Sequence, residues 1–358
     1  ELQTRFSAVH TFIYPSYRFY LNTLRGVPSR RPLQTHYFSF DAVSKWLDEN
    51  HDRFDLLYCN HVRTAEYVRN YNCPKMIDLV DSISRNYKRA KEHASGLWRI
   101  IYPIEWRRLH RYERNITKIF DHSFIITEPD KQFVTKGESR PSFSVLPNGV
   151  KPELLDRKSN RHRIKPDNPR IVFLGKMNYF PNVDAAVHFA TTVFPKLQTN
   201  NPSVEFIIVG SNPNKRIRDL SDRSGITVTG FVDEPWEYLD RADIVVAPMR
   251  HGAGLQNKVL EAMALGRPVV ASPLAHEGIE AIDGKHLVVA NNENEFVDEI
   301  RHLLTNKDQR QAMGTAAREL IEQNYTWERV GAMLRAKVSS VLENASLAIS
   351  TSVSNKNT

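Results

Sequence analysis

Short runs of β-branched and other apolar residues alternate with helical patterns through the second half of the chain. The apolar runs predict strands at 171–175, 204–210, 226–231, 243–248, 268–272 and 286–290. The spacing of apolar residues predicts helices between them, at about 182–200, 213–223, 234–241, 256–265 and 293–304. Continuously apolar strands are buried on both faces, and strands that alternate with helices run parallel. The pattern therefore predicts a doubly wound α/β domain.

The first half shows the same alternation less regularly. Strands are predicted at 54–60, 75–80, 123–127 and 142–146, and helices at 40–50, 63–71, 84–118 in two or three pieces, and 129–136. Four strands make a thin doubly wound domain. We therefore expect one or two further strand–helix units upstream of Glu1, so that this N-terminal domain is incomplete.

Turn residues and polar composition indicate the domain boundaries. Pro147-Asn148-Gly149 predicts a turn, and the polar stretch after it is rich in Lys and Arg. Thr326 is a candidate N-cap for a last helix. We predict an N-terminal domain over 1–150, a linker over 151–168, a second domain over 169–325, a last helix over 326–345 that returns towards the N-terminal domain, and a disordered Ser-, Asn- and Thr-rich tail over 346–358.

The composition is that of an ordinary soluble globular protein, with 41% apolar and 25% charged residues among 358. It excludes wholesale disorder and a collagen-like chain. Cys59 and Cys73 are too few for a disulfide scaffold, which favours a reducing, cytoplasmic location. No uncharged apolar stretch reaches the roughly 18 residues that a membrane-spanning helix needs.

The net charge of +8 is concentrated in one segment. Residues 85–118 contain ten basic and three acidic residues, interleaved with Trp98, Tyr102 and Trp106 on a helical pattern. Such a segment suits an anionic membrane surface, so we predict a peripheral location at the inner face of the plasma membrane. The alternative is one or two amphipathic helices packed on a domain, with a solvated basic face. Nucleic acid is not a predicted partner, because no recognised binding motif accompanies the charge.

The segment 247–272 carries the densest candidate chemistry. A strand ends at Pro248, a glycine-containing loop follows, and a helix opens at about Gln256. Backbone N–H groups and the helix dipole at such a place can meet a phosphate. Lys258 and Glu261 lie three residues apart and share one helix face, where Lys258 would bind the phosphate and Glu261 would accept two ribose hydroxyls. The alternative is a tight start to the helix with a solvated Lys–Glu pair.

A second loop, from Gly175 to Asn182, follows the first strand of the same domain. Open α/β sheets bind their ligands at the carboxyl ends of strands. Lys176 would reach the same phosphate from this loop, whereas the alternative is an exposed loop lysine.

These motifs resemble the retaining glycosyltransferase family 4, the group 1 glycosyltransferases. Seven segments occur in the same order as in the family, namely Pro147-Asn148-Gly149-Val150, LGKMNYFPNVDA, FIIVGSNP, VTGFVDE, ADIVVAPM, GLQNKVLEAMALGRPVVAS and NYTWERV. The match covers about 120–335. The first half resembles one branch, the sugar transferases of bacterial exopolysaccharide systems, in DLVDS at 78–82, the Trp-, Tyr- and Arg-rich segment 98–114, and FDHS at 120–123.

The resemblance implies a GT-B fold, in which two doubly wound Rossmann-like domains face each other across a cleft. It also implies a nucleoside-diphosphate sugar on the second domain, a saccharide or lipid-linked acceptor on the N-terminal side, and neither metal nor cofactor. Asp81 stands where the family has its N-terminal-domain histidine, as in the exopolysaccharide branch. The family's glycine-rich N-terminal loop has no counterpart in this sequence.

In the second domain the resemblance assigns roles residue by residue. The second glutamate of the family's pair matches Glu261, which implies ribose binding. The first matches His251 with two extra residues of spacing, and Lys176 matches the basic residue of the family's Gly-Arg-Leu motif. The family's second lysine falls at Pro181, and Lys258 is its expected stand-in.

Together these observations predict a retaining glycosyltransferase of surface-polysaccharide assembly. Asp81, His251 and Lys176 are the predicted catalytic residues. The predicted donor-binding residues are Gly175, Lys176, Gly230, Phe231, Gly254, Leu255, Gln256, Lys258 and Glu261, with Gly230 and Phe231 framing the base. The alternatives are a GT-B nucleotide-sugar epimerase and a non-catalytic membrane or scaffold protein on a degenerate GT-B frame.

Overall fold

The computed structural model describes residues 2–157, 168–252 and 254–354. The chain divides into two units, of which the first is Glu1–Val145 with Arg335–Thr358 and the second is Leu146–Leu334. Each unit has one parallel sheet of its own. The units are described separately below.

The sheet of the first unit has four parallel strands in the order β1-β2-β3-β4. They are β1 (Leu57–Asn60), β2 (Lys75–Asp78), β3 (His122–Ile125) and β4 (Phe143–Val145). All four predicted strands are confirmed, and each is shorter than predicted. β3 is buried along its whole length, because helices cover both faces of the sheet.

The helices of the first unit are α1 (Leu2–Arg5), α2 (Ser16–Gly26), α3 (Leu33–Tyr37), α4 (Asp41–Asn50), α5 (Ile83–Ala90), α6 (Trp98–Ile116) and α7 (Glu128–Thr135). The prediction of a helix in pieces over 84–118 is confirmed by α5 and α6. The helix predicted over 63–71 is wrong, since only a 3₁₀ segment forms at Val62–Tyr67. The Thr64 hydroxyl bonds back to the carbonyls of Asn60 and His61 there, and such local bonds compete with an α-helix.

The sheet of the second unit has six parallel strands in the order β10-β9-β8-β5-β6-β7. They are β5 (Arg170–Leu174), β6 (Glu205–Val209), β7 (Ile226–Val228), β8 (Ile244–Ala247), β9 (Val269–Ala271) and β10 (Val288–Val289). Every strand predicted for this half is confirmed. The strand order reverses between β5 and β8, as in a doubly wound dinucleotide-binding sheet.

Helices alternate with these strands. They are α8 (Pro152–Asp156), α9 (Phe180–His188), α10 (Phe194–Asn200), α11 (Lys215–Arg218), α12 (Trp236–Asp240), α13 (Asn257–Ala264), α14 (Pro273–His276), α15 (Glu293–Thr305) and α16 (Lys307–Asn324). The helix predicted over 182–200 is interrupted by a π-helical turn at Phe189–Val193. The helix predicted over 213–223 ends as a 3₁₀ turn at Asp219–Asp222.

The last helix, α17, runs from Trp327 to Ser354. Thr326 caps it as predicted, since the N–H of Arg329 donates to Thr326 Oγ1 at 3.2 Å. The structure differs from the predicted disordered tail, because α17 continues through 346–354. Ala345 and Leu347 are strong helix formers that offset the Ser and Asn around them.

Parts of two predicted segments lie outside the described residues, namely 158–167 of the linker and 355–358 of the tail. The described start of the linker forms α8. Within the part of the chain that the structure describes, no helix is both long and apolar enough to cross a membrane.

Candidate functional site

The reversal of strand order places two loops of the second unit side by side. β5 and β8 are neighbours in the sheet, and in open α/β sheets ligands bind beyond the carboxyl ends of strands at such a reversal. The two loops identified in the sequence follow these two strands. The sheet thereby brings the predicted residues Gly175, Lys176, His251, Gly254, Leu255, Gln256, Lys258 and Glu261 to one edge of the unit.

Two glycines allow the loop after β5 to lie close to its neighbours. A Cβ on Gly175 would come within 2.7 Å of Asn182 Nδ2. A Cβ on Gly210, whose φ is +153°, would come within 1.7 Å of the Gly175 carbonyl oxygen. The loop is also held to the end of β6 by the N–H of Met177, which donates to the Ser211 carbonyl at 2.8 Å. Lys176 projects from this fixed backbone with an exposed side chain.

Asn182 joins the two loops and was missed in the sequence. Its side chain is buried, and its Oδ1 accepts a hydrogen bond from Lys258 Nζ at 2.5 Å. Its Nδ2 donates to the Lys176 carbonyl at 3.2 Å. A polar residue in the first turn of the helix, directly after the candidate phosphate-binding loop, was the signal that could have identified it. One amide therefore holds both the side chain of Lys258 and the backbone of Lys176.

Lys258 sits in an apolar setting for a cation. Its ammonium lies 4.6 Å from the centroid of the Phe173 ring and 3.7 Å from Met249 Sδ. Burial lowers the pKa of Lys258 to about 7, and the nearby Glu261 carboxylate opposes this shift. A bound anion would favour the charged form further. The side chain is therefore able to gain a proton as an anionic ligand arrives.

Glu261 lies one turn further along α13 and is partly buried. Among the described residues its carboxylate makes no hydrogen bond, so both oxygens are available to a ligand. Burial raises the pKa of Glu261, whereas the positive charges of Lys151 and Lys258 lower it. Lys151, which lies over the Trp236 ring at 4.5 Å, was also missed in the sequence. Its place directly after the Pro-Asn-Gly-Val turn was the available signal.

The start of α13 offers backbone donors. The helix begins at Asn257, and the cap residue Gln256 makes no capping hydrogen bond with its side chain. Gly254, with φ of +78°, and buried Leu255 lead into it. The first N–H groups of a helix without a side-chain cap are available to an anion.

His251 is paired with a carboxylate that sequence reasoning missed. Its Nε2 lies 3.3 Å from Asp184 Oδ2, and Arg250 approaches the same oxygen at 3.7 Å. The imidazole also packs against the Phe180 ring, with centroids 5.1 Å apart. These contacts hold His251 against α9 beside the loop after β5.

Gly230 and Phe231 follow β7, two strands away from β5 at the same carboxyl edge. Gly230 has φ of +72°, a conformation that side chains rarely adopt. Phe231 is 74% exposed. The loop thus presents an open backbone and an aromatic face, and its contact with a base stays a prediction.

Asp81 lies in the first unit, in the loop between β2 and α5. The Asn86 side chain donates to its Oδ2 at 2.6 Å, and burial raises its pKa. The following residue, Ser82, caps α5 by accepting from the N–H of Arg85. The predicted place of Asp81 beside the transferred sugar stays a prediction.

A histidine that was not identified in the sequence follows the neighbouring strand β1. His61 has φ of +76°, and its Nδ1 is buried with no hydrogen-bond partner among the described residues. Burial lowers its pKa to about 4. Because β1 and β2 are adjacent and parallel, His61 and Asp81 belong to the same edge of the first sheet. No motif marks His61, and only the sheet order associates it with Asp81.

Comparison with known proteins finds similarity to glycosyltransferases. Residues 168–306 match the family "Glycosyl transferases group 1". The crystal structure of Anabaena Alr3699/HepE in complex with UDP is similar, with a TM-score of 0.66 and 16% identity over 84% of this chain and 82% of that one. At this level of identity the likeness concerns the fold.

Two relatives extend the comparison. An uncharacterized 44.6 kDa protein in the cps region of Klebsiella pneumoniae is 23% identical over 78% of this chain and 72% of its own length. A Mycobacterium tuberculosis GDP-mannose-dependent α-(1-6)-phosphatidylinositol monomannoside mannosyltransferase is 27% identical over 59% of this chain. The matched region spans 60% of the mycobacterial enzyme.

Proposed function

Since the chain carries a group 1 glycosyltransferase domain on a GT-B fold, we propose that it moves a sugar from a nucleoside diphosphate to a saccharide or lipid-linked acceptor, with retention at the anomeric carbon. The observation that carries the proposal is the pair on α13. Lys258 and the uncommitted carboxylate of Glu261 lie at the reversal of the sheet, beside the loop that bears Lys176.

The donor's nucleotide matches these groups. The Glu261 carboxylate accepts the two ribose hydroxyls, and the Phe231 loop frames the base. Lys176, Lys258 and the first N–H groups of α13 meet the diphosphate. Negative charge grows on the diphosphate as it leaves, so donors already in place stabilise the transition state. In the proposal, lysines and backbone N–H groups supply the positive charge that stabilises the leaving diphosphate. The proposal therefore includes no metal ion or cofactor.

The transfer balances without a further reagent. The bond between the anomeric carbon and the phosphate oxygen breaks, and a bond to the acceptor hydroxyl forms on the same face of the sugar. The acceptor's proton passes to the departing phosphate. His251 contacts the transferred sugar in this proposal, and the Asp184 carboxylate holds the His251 ring in place.

The relatives support an acceptor from cell-surface assembly. One belongs to a cps region, another is named for phosphatidylinositol monomannoside, and a structural neighbour binds UDP. We propose a role in surface polysaccharide or glycolipid synthesis at the cytoplasmic face of the membrane. Residues 85–118 would hold the enzyme there, because α6 exposes Trp98 and Ile100 beside its arginines.

Calorimetric titration with uridine, guanosine and adenosine diphosphate sugars tests the proposal, followed by turnover with and without acceptors. A glycosyltransferase binds one of the donors and releases most of the nucleoside diphosphate only when an acceptor is present. Conversion of the donor's sugar without an acceptor would instead indicate an epimerase. A protein that binds none of the donors contradicts the proposal and supports a scaffold.

A further inference from the structure

A groove lined by arginines lies along α6 in the first unit. One cavity of about 310 Å³ is lined by Arg30, Pro103, Ile104, Arg107, Arg108 and Arg111. A second cavity of about 170 Å³ shares Arg30, Arg108 and Arg111, and adds Arg31 and Arg69. We call this pair of cavities the arginine groove. The volume of the larger cavity is at the lower end of the range of small-ligand sites.

Carboxylates neutralise only part of the groove. Glu66 pairs with Arg31 and with Arg69, each at 2.7 Å. Glu105, which is almost fully buried, pairs with Arg108 at 3.0 Å. These pairs fix three of the arginines in position and leave no carboxylate for the others.

Three arginines keep their charge uncompensated. Among the described residues Arg30, Arg107 and Arg111 have no carboxylate partner, and Arg107 donates only to the Pro103 carbonyl, at 2.6 Å. Like charges around one cavity repel one another, so an anion bound between them lowers the energy. Guanidinium groups match phosphate oxygens with two parallel hydrogen bonds, which makes phosphate the fitting anion.

An apolar strip continues from the groove along the same helix face. Ile104 lines the groove and is 50% exposed, while Ile100 and Leu97, one and two turns earlier, are 64% and 69% exposed. At 1.5 Å per residue the strip is about 10 Å long. A soluble phosphate would satisfy the arginines and leave this strip in water. A phosphate that carries hydrocarbon covers both.

We propose that the arginine groove binds the phosphate of a lipid headgroup, with its hydrocarbon along Leu97, Ile100 and Ile104. This lipid site rests on the proposed membrane attachment and makes it more specific. It replaces a diffuse basic surface with a discrete binding site. Arg30 is part of it although it lies outside the basic segment 85–118.

Vesicle binding with matched double variants tests the site. The probes are phosphatidylcholine vesicles containing phosphatidic acid, whose phosphate is terminal, or phosphatidylserine at equal surface charge. Arg30→Gln with Arg111→Gln removes two groove arginines. Arg99→Gln with Lys118→Gln removes the same charge from exposed positions in the α6 region outside the groove. We expect the wild type to prefer phosphatidic acid, the groove variant to lose about tenfold or more in affinity, and the control far less.

Equal losses in the two double variants, or equal binding to both anionic lipids, would overturn the site in favour of diffuse charge. The apolar part is tested with Ile100→Ser and Ile104→Ser, which should weaken vesicle binding severalfold. Competition by millimolar inorganic phosphate should leave vesicle binding nearly intact. Complete displacement by inorganic phosphate would show a site for soluble phosphate and overturn the lipid assignment.

Nucleotide-sugar titration of the same variants separates this inference from the proposed transfer. Groove variants should bind the donor like the wild type, because the predicted donor residues belong to the second unit. A wild type that binds phosphatidic acid through the groove but no nucleotide sugar would leave the groove standing and remove the proposed donor site.

Discussion

At the scale of single residues, Glu261 gives the sharpest test of the donor site. Its carboxylate is uncommitted and would accept two ribose hydroxyls, each charged hydrogen bond being worth on the order of 1.5–3 kcal/mol. Glu261→Ala should therefore lower donor affinity at least about tenfold, measured by calorimetry. Alanine is a strong helix former, so circular dichroism and melting temperature should stay close to wild type.

The matched control for Glu261 is Glu319→Ala, an exposed carboxylate on α16. It should leave donor binding unchanged. Unaltered binding of nucleoside diphosphate by Glu261→Ala would remove the ribose assignment.

The lowered pKa of Lys258 predicts that the affinity for a nucleotide sugar depends on pH. With a pKa of about 7 it is charged below that pH and largely neutral above it. Affinity for a nucleotide sugar, whose phosphates do not titrate in this range, should be constant below pH 7 and fall as the pH rises. Calorimetry in two buffers of different ionisation enthalpy should show proton uptake near pH 8. Lys258→Gln should weaken binding and flatten this profile.

Lys176 serves as the comparison because it is exposed and has the same proposed ligand. Lys176→Ala should weaken binding of the diphosphate more than of the nucleoside while keeping the wild-type pH profile. The same pH profile in Lys258→Gln as in wild type would show that another group titrates.

At the scale of elements, α6 combines a buried face with an exposed one. Leu109 and Ile116 are buried, whereas Ile104, Arg107 and Arg111 face solvent. The protein should therefore sediment, through residues 85–118, with vesicles that contain phosphatidylglycerol but not with neutral vesicles. A basic residue near an anionic surface contributes about 1 kcal/mol, and salt should abolish the effect because exposed charges are screened beyond roughly 8–10 Å.

The variant for this test is Arg107→Glu with Arg111→Glu. Arg108 is left in place because its removal would strand the buried Glu105. Equal sedimentation with and without anionic vesicles would mean that the charge is only a solvated face.

A second element-scale prediction concerns how α6 supports α5. The buried Glu113 carboxylate accepts from the N–H and hydroxyl of Ser84 and from the hydroxyl of Ser82. Burial nevertheless raises the pKa of Glu113 to about 7. Between its unfolded pKa near 4.5 and about 7 the folded state binds more protons, so stability should fall as pH rises through this range.

Chemical denaturation at pH 5 and pH 7 measures the effect. Glu113→Gln should reduce the slope of the unfolding free energy against pH, since glutamine does not titrate. An unchanged slope in Glu113→Gln would assign the pH dependence to other groups.

At the scale of the whole molecule, each unit has its own sheet, and the predicted donor residues lie in the second unit. A donor at 100 times its Kd adds about 2.7 kcal/mol to the state that binds it. Hydrogen exchange should therefore slow at the loops after β5 and β8 and at the start of α13. Protection confined to the first unit would contradict the donor site.

The strands and most helices could be predicted from the sequence, because buried parallel strands leave continuous apolar runs that need no tertiary context. The sequence located the helix that carries Lys258 and Glu261, because a glycine loop before a helix is a local signal, whereas the binding roles of both residues stay predictions. The sequence pattern also located the basic aromatic segment, since charge and aromatic spacing are local properties. Thr326 is a further local signal, and its capping bond is observed.

Only the tertiary structure determined which residues share a partner. Asn182 and Lys258 are 76 positions apart and meet because β5 and β8 are neighbours in the sheet. Asp184 beside His251, and Arg30 beside Arg111, likewise depend on packing between separate elements. The missed 3₁₀ segment at Val62–Tyr67 and the extension of α17 show the same limit at helix ends. Local composition is a weak guide there, because competing hydrogen bonds and packing decide where a helix stops.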